Sequence, residues 1–431
     1  MLVSSLRRAV SLRASDRKKH MSTSSPRTRN RLGLWALTAT HAANDFYTGA
    51  VAALLPFFVL HAEYSYAAVA GITLAATALS SVAQPMFGYL SDRYGMRWMS
   101  LAGLLAAGAG IALSGMVADS YAAVWVVVAI SGIGVAAYHP AATMEARELG
   151  GGTSGSMSLF SVGGNVGVAL APAAVILVVG TFGLSGSGFL IIPAALLGLV
   201  YVMVSWRHLF SRTAPAERAT ERSKASVSDD WRAFAWLTAV LATWSVAYVG
   251  TSTFISLYSI QRFDVTTGFA SIALSVFPAA GAVGTLAGGW LADRFGRLRV
   301  VRTGYLLAAI STIAIVLAPS PVIVVVATAV LGTSLFLPFA AQITLSHSYL
   351  PNRIGMASGV TLGLTLSLGG LVSPLLGSIA DQTSVQSVFV IVAVLLVAGF
   401  ALSFILKERR SGPVQSLQQQ DQSSELENAN D

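Results

Sequence analysis

The chain has no cysteine among its 431 residues, and only 11% of them are charged. The first absence removes disulfides and thiol chemistry. The second argues against an ordinary water-soluble domain, which carries roughly 25% charge to cover its surface. Also missing are a P-loop lysine pattern that would bind ATP and any His/Cys/carboxylate spacing typical of a metal site. A nucleotide-driven pump, a metal centre, a cofactor and an enzymatic activity are therefore not expected. What is abundant is apolar: 54% of residues are hydrophobic and the mean hydropathy is +0.68. The expected solvent is lipid.

A membrane helix needs about 20 apolar residues to cross a core of about 30 Å. Three stretches lack that character: 1–32, 207–231 and 407–431. The two blocks between them, 33–206 and 232–406, divide into twelve spans of roughly 29 residues each with their connections. Hydrophobic runs place six spans near 33–60, 66–90, 98–118, 121–145, 155–180 and 184–206. Six more fall near 232–258, 267–291, 298–318, 320–346, 354–380 and 384–406. Segments such as 124–130 and 322–330 are apolar on every side, which excludes the alternation of a membrane β-barrel. The expectation is an all-α integral membrane protein of twelve transmembrane helices in two six-helix halves. The tails read as disordered, the first basic and faintly like a transit peptide, with Met21 as an alternative start.

The formal charge of +8 could suggest a nucleic-acid partner, but position explains it better. With the amino terminus in the cytoplasm, 26 of the 27 Lys and Arg fall on the cytoplasmic side, and Arg262 alone falls outside. That bias predicts cytoplasmic termini, a cytoplasmic linker over 207–231 and an even helix count, in the inner (plasma) membrane, with no role for nucleic acid.

The halves repeat one another. Gly88-Tyr-Leu-Ser-Asp92-Arg93-Tyr-Gly95-Met-Arg97 recurs as Gly289-Trp-Leu-Ala-Asp293-Arg294-Phe-Gly296-Arg297, offset by 201 residues and following the second helix of each half. Such a parallel duplication is the plan of many secondary transporters, which bind substrate near the midplane between the repeats.

These paired Gly-x-x-x-Asp-Arg-x-Gly loops resemble the signature loops of the major facilitator superfamily, and the resemblance runs through 33–406. Within it the chain is similar to the fosmidomycin resistance proteins, proton-driven bacterial drug exporters. The matching stretches are His41-Ala-Ala-Asn44-Asp45, Tyr138-His139-Pro140, Phe160-Ser-Val-Gly163-Gly164-Asn165-Val-Gly167 and Leu350-Pro-Asn-Arg353-Ile-Gly355-Met-Ala-Ser-Gly359. One departure is Ala171 before Pro172, where drug–proton antiporters carry a Gly-Pro pair. The resemblance implies a major facilitator fold and export of a small compound by alternating access.

Charged side chains inside a membrane are costly and mark functional sites. Asp45 lies about 18 Å into the first helix, near the midplane, by helical rise. His41, one turn away on the same face, can pair with it. Asp45 and His41 are therefore the candidate proton-coupling residues. The resemblance implies that helices one and four face the central cavity, where His139, on the fourth, would converge with His41 as a candidate ligand for an anionic substrate such as a phosphonate; the other reading of His139 is a polar partner for carbonyls freed by Pro140. Asn44, Asn165, Tyr248 and Gln342 complete the expected substrate-binding set. Gly163, Gly164 and Gly167 are read as packing residues. The two loops, Gly88, Asp92, Arg93, Gly95 and Arg97 with Gly289, Asp293, Arg294, Gly296 and Arg297, are expected to gate the conformational cycle, the acids accepting charge-assisted bonds from the arginines or a helix N-terminus.

The leading reading is a monomeric proton-coupled antiporter whose partners are a small molecule, protons and the bilayer. Proton-coupled import of an organic acid or sugar suits Asp45 equally, and a membrane sensor without transport would need a partner-facing domain that the sequence does not show.

Overall fold

The computed structural model describes residues 30–94, 96–150, 154–209 and 228–409, so most of both tails and of the linker lies outside the described residues. Among the described residues the chain is helical and has no strand. The first half contributes α1 (Arg31–His61), α2 (Tyr66–Tyr94), α3 (Trp98–Ser114), α4 (Tyr121–Leu149), α5 (Ser154–Phe182) and α6 (Ile192–Leu209). The second contributes α7 (Trp231–Phe263), α8 (Thr267–Phe295), α9 (Arg297–Leu317), α10 (Pro321–Phe336), α11 (Phe339–Tyr349), α12 (Ile354–Gln382) and α13 (Val385–Leu402). Nine helical segments among the described residues are long and apolar enough to cross a membrane, α10 and α11 counting together as one.

The structure departs from the expected spans where local chemistry interrupts a helix. α3 stops at Ser114 because the next amide, Gly115 N–H, is taken by Ser187 Oγ at 3.1 Å. The sixth span opens as a 3-10 helix, Leu184–Ile191, after Gly183 turns the chain at φ 69°. The tenth breaks into α10 and α11 at Leu337 and Pro338, where Pro338 takes the N-cap position of α11 at φ −78° and ψ −8°. The last helix ends at Leu402, short of the expected 406.

Elsewhere the duplication is written into backbone detail. Only two non-glycine residues among those described adopt positive φ, Glu63 (55°) and Asp264 (51°), and they are 201 residues apart. Just beyond each, a hydroxyl caps the next helix: Ser65 Oγ accepts from Ala68 N–H and Thr266 Oγ1 from Phe269 N–H. Asn30 caps α1 through Gly33 N–H at 3.0 Å, and Asp230 caps α7 through Ala233 N–H at 2.9 Å. Capping fixes where each helix begins, at a typical value of about 1 kcal/mol.

Within the first half α1 packs on α5, and within the second α7 packs on α12. The two halves meet chiefly along α2 with α12 and α5 with α8. At the end of the bundle opposite the termini, the Asp381 carboxylate at the foot of α12 accepts from Tyr66 N–H (2.7 Å) and Ala67 N–H (2.8 Å), the first amides of α2. Such a carboxylate satisfies two orphan donors and faces the positive end of the helix dipole.

Candidate functional site

Between the halves lies a cavity of about 880 Å³ counting its open mouth. Its walls come from α1, α2, α4, α5, α7 and α8, and they are mostly apolar. The polar groups of the lining are hydroxyls, among them Thr48, Thr73, Thr77, Ser80, Ser252 and Thr253; among the described residues no charged one lines it. Thr253 donates to Thr73 across the halves at 3.3 Å.

The charge sits one helical turn away. Asp45 precedes the cavity residue Thr48 by three positions on α1, and His139 follows the cavity residue Val135 by four on α4. Here the structure gathers three residues from two helices. His139 Nε2 is 3.1 Å from Asp45 Oδ1, and His41 Nε2 is 3.2 Å from Asp45 Oδ2. Asn44 Nδ2 donates to Oδ1 at 3.1 Å. The side chains are mostly withdrawn from solvent, His41 at 8% exposure and Asp45 at 18%, while His139 at 29% is the most open. This is the one place among the described residues where three His and carboxylate donor atoms come within 4.8 Å of one another. Both imidazole–carboxylate contacts are of hydrogen-bond length, although His41 Nε2 is not aligned for a bond to Asp45.

The surroundings fix the rings. His41 Nδ1 bonds the Phe160 carbonyl at 2.7 Å, and the His41 ring stacks on Phe160 with centroids 4.0 Å apart. His139 Nδ1 bonds the Val135 carbonyl at 2.8 Å. Room for the cluster comes from Gly164, where a Cβ would stand 2.3 Å from Asp45 Oδ2 and 2.8 Å from His41 Cε1. Gly163 and Gly167 let α5 approach the α1 backbone at the Thr38 and Ala42 carbonyls. A residue larger than glycine at 164 would thus push the triad apart, whatever it did to the helix.

The other expected substrate residues scatter. Tyr248 lines the cavity and stacks on Trp244 at 5.2 Å. Asn44 is fully buried and bound to Asp45, which places it behind the carboxylate. Asn165 is half-buried on α5, next to Gly164. Gln342 is fully buried on α11 and donates to Tyr305 Oη at 3.0 Å, away from the cavity lining.

In the signature loops, the side chains of Asp92 and Arg93 and the whole of Gly95 lie outside the described residues, and a Cβ at Gly88 would stand 4.0 Å from Pro140 Cβ. Arg97 pairs with Glu148 on α4 of its own half at 2.5 Å. In the second loop Asp293 is exposed, and Arg294 lies over the Trp290 and Phe295 rings at 5.5 and 5.7 Å. Gly296 turns the chain at φ 91° between α8 and α9. Arg297 binds Glu408 and the Thr344 and Arg409 carbonyls, tying the loop to the segment after α13.

One buried acid escaped the sequence reading. Glu145, expected near a helix end, is completely buried on α4, where it accepts from Ser100 Oγ at 3.0 Å and from the Tyr201 hydroxyl. Ser100 and Tyr201 stand 45 and 56 residues away along the chain, so no local pattern announces the contact.

Comparison with known proteins agrees with this architecture. The chain is 29% identical over 381 residues to the fosmidomycin resistance protein of Escherichia coli (strain K12), covering 87% of this chain and 93% of the relative. It is 27% identical over 374 residues to the uncharacterized MFS-type transporter YfnC of Bacillus subtilis (strain 168), covering 85% and 90%. Crystal structures of the nucleoside transporter NupG (TM-score 0.71, 14% identity, 87% of this chain and 100% of that one) and the peptide transporter POT in complex with sulfate (0.70, 16%, 87% and 93%) share its fold. The last three are named as transporters, and the Major Facilitator Superfamily model matches residues 37–374, most of the chain. With that match over two related helical halves, the chain belongs to the Major Facilitator Superfamily.

Proposed function

We propose that the protein is a proton-coupled antiporter that exports small anionic compounds, fosmidomycin among them, by alternating access. Twelve spans with both termini in the cytoplasm, a monomer in the inner membrane, and two six-helix halves over 33–206 and 232–406 joined by a cytoplasmic linker form the frame of this reading. One observation carries it: a carboxylate flanked by two imidazoles is withdrawn into the membrane-spanning helices beside an otherwise uncharged cavity between the halves. A group placed there is expensive unless it works, and its charge changes when a proton arrives.

In this reading Asp45 and His41 carry the proton. The open edge of His139 draws the anion toward the triad, and Tyr248 and the cavity hydroxyls hold its remainder. Asn44 supports the carboxylate, while Asn165 and Gln342 act from the helices around it. The signature loops release and re-form their bonds as the halves rock. The resemblance to the fosmidomycin resistance protein supports the direction of transport and the first solute to try. The test is reconstitution into oriented vesicles with an imposed proton gradient, followed by uptake of fosmidomycin, organic anions and cationic drugs. The expected result is accumulation of fosmidomycin against its gradient that a protonophore abolishes. Accumulation that survives the protonophore rejects proton coupling, and accumulation in the same direction as the protons assigns import.

A further inference from the structure

The contacts of His139 define a task beyond attracting an anion. Both Nδ1 atoms of the triad face main-chain carbonyls, Phe160 for His41 (2.7 Å) and Val135 for His139 (2.8 Å). A carbonyl oxygen can only accept, so each Nδ1 bears its hydrogen whether or not the ring is charged. In a neutral ring, Nε2 is then a bare lone pair. Both Nε2 atoms lie beside one carboxylate, at 3.1 and 3.2 Å. A lone pair held against a carboxylate oxygen repels it, whereas a proton between the two makes a charge-assisted hydrogen bond.

The carboxylate offers a separate oxygen to each ring: Oδ1 to His139 and Oδ2 to His41. The two protonated contacts therefore do not compete for one atom. The triad carries a charge of about −1 with neither proton, 0 with one and +1 with both. His41 Nε2 is buried and has no aligned hydrogen-bond partner, which leaves it dependent on what arrives between it and Asp45.

Among the described residues, the groups that face the triad are uncharged. On α1 the remaining neighbour is the uncharged Asn44 amide. On α4 it is Tyr138, whose hydroxyl is held by Thr40 and the Leu37 carbonyl. α5 presents the Phe160 ring and Gly164, and α7 presents Tyr248. Among the described residues no Lys, Arg or second carboxylate is paired with the triad.

We propose that the triad loads and unloads two protons in each transport cycle, one at each imidazole–carboxylate contact, with His139 as the second proton carrier. The loaded triad is a net cation with its His139 edge exposed, which suits an anionic solute. The emptied triad sets two lone pairs against a carboxylate, which favours separation of the rings from Asp45. This inference rests on the proton-coupled reading above and adds its stoichiometry.

Two measurements decide it. In vesicles held at zero voltage with potassium and valinomycin, a difference of one pH unit sustains a fosmidomycin gradient of about tenfold for one coupled proton and about a hundredfold for two. The hundredfold gradient is expected for the wild type and the tenfold gradient for His139→Gln. A wild-type gradient of tenfold overturns the second carrier while leaving proton coupling intact, and a gradient indifferent to pH removes both. The second measurement needs no transported solute: ¹⁵N NMR of the histidine-labelled, untagged protein, with His41→Gln and His139→Gln assigning the two signals. Both rings should show the Nδ1–H tautomer at alkaline pH and the doubly protonated form on acidification. An Nε2–H tautomer for either ring, or one that never gains its second proton, overturns the proposal.

Discussion

The two halves of the molecule share a backbone plan and differ in chemistry. At the offset of 201 residues, Tyr47 on α1 answers to Tyr248 on α7, but His41 and Asp45 answer to Ala242 and Val246. Beside the prolines of the fourth and tenth spans, His139 precedes Pro140 while Leu337 precedes Pro338. In place of the triad the second half builds a wall of rings. Trp244 stacks on Tyr248, with Phe336 at 5.6 Å from both and Phe277 at 5.8 Å from Tyr248. Duplication thus preserved the turns and caps that place the helices, which any functional copy needs. The polar cluster lies on one side only, and under the proposed proton coupling one site that changes charge serves a cavity shared by both halves. The aromatic wall supplies an uncharged surface; in the proposed cycle the triad supplies the charge that changes.

The comparison is broken most severely by removing the charge itself. Asp45→Asn is expected to abolish uphill transport while leaving substrate exchange between equal concentrations, measured by counterflow of radiolabelled solute. Uphill transport at the wild-type level would mean that coupling lies elsewhere. The converse change, Val246→Asp, places a carboxylate at the equivalent point of the ring-lined half without its imidazoles. At about 2.5–3.5 kcal/mol for a charge near a helix centre, it should lower the thermal unfolding temperature in detergent clearly. Adding Ala242→His should recover part of that loss, since a partner one turn away restores the pair found in the first half.

A smaller effect is expected from Gly164→Ala, whose methyl would stand 2.3 Å from Asp45 Oδ2. Overpacking of this kind costs about 1–3 kcal/mol and should displace the carboxylate from its rings. The check is the ¹⁵N signal of His41 together with the melting temperature; an unchanged pair would show that α5 yields without disturbing the triad. The smallest effect concerns the crossings between halves. Asp381 closes the α2–α12 crossing with two bonds, whereas at the corresponding end of α5 Thr181 only binds its own helix at Leu177. Asp381→Ala should ease opening at that end by about 1 kcal/mol, roughly a fivefold change in population. Because the chain lacks cysteine, Ser252→Cys gives a single reporter in the cavity. Its labelling by an impermeant maleimide from the side of Asp381 should rise by a similar factor, and an unchanged rate would assign the carboxylate to capping alone.

Much of this architecture was legible in the residues, for physical reasons that also explain where legibility ended. Lipid imposes one solution on a long apolar run, so the α1 and α7 spans could be read from composition, and the 201-residue period reached down to single caps at Ser65 and Thr266. The His41–Asp45 contact was legible because four residues make one helical turn. The approach of His139 was not legible from helical spacing, since it depends on how α4 packs against α1; only the family resemblance pointed to its convergence with His41. The same holds for Glu145 with Tyr201, and for Arg97, which turns to Glu148 on α4. Interruptions were not legible: the tenth span, expected unbroken, parts at Pro338, while prolines 56, 140, 172, 278 and 374 lie inside helices that continue through them. Whether a proline breaks a helix depends on what receives the freed carbonyl, and that is a tertiary fact.

The claim that the charged half couples solute to protons is tested most directly by watching protons move when only the solute is supplied. Vesicles containing the oriented protein and an entrapped pH-sensitive dye, with no imposed pH difference, are given a gradient of fosmidomycin. The wild type is predicted to move protons in the direction opposite to the solute, and Asp45→Asn to equilibrate the solute with no pH change. Solute movement without a pH change in the wild type, or an undiminished proton signal from Asp45→Asn, would contradict the account.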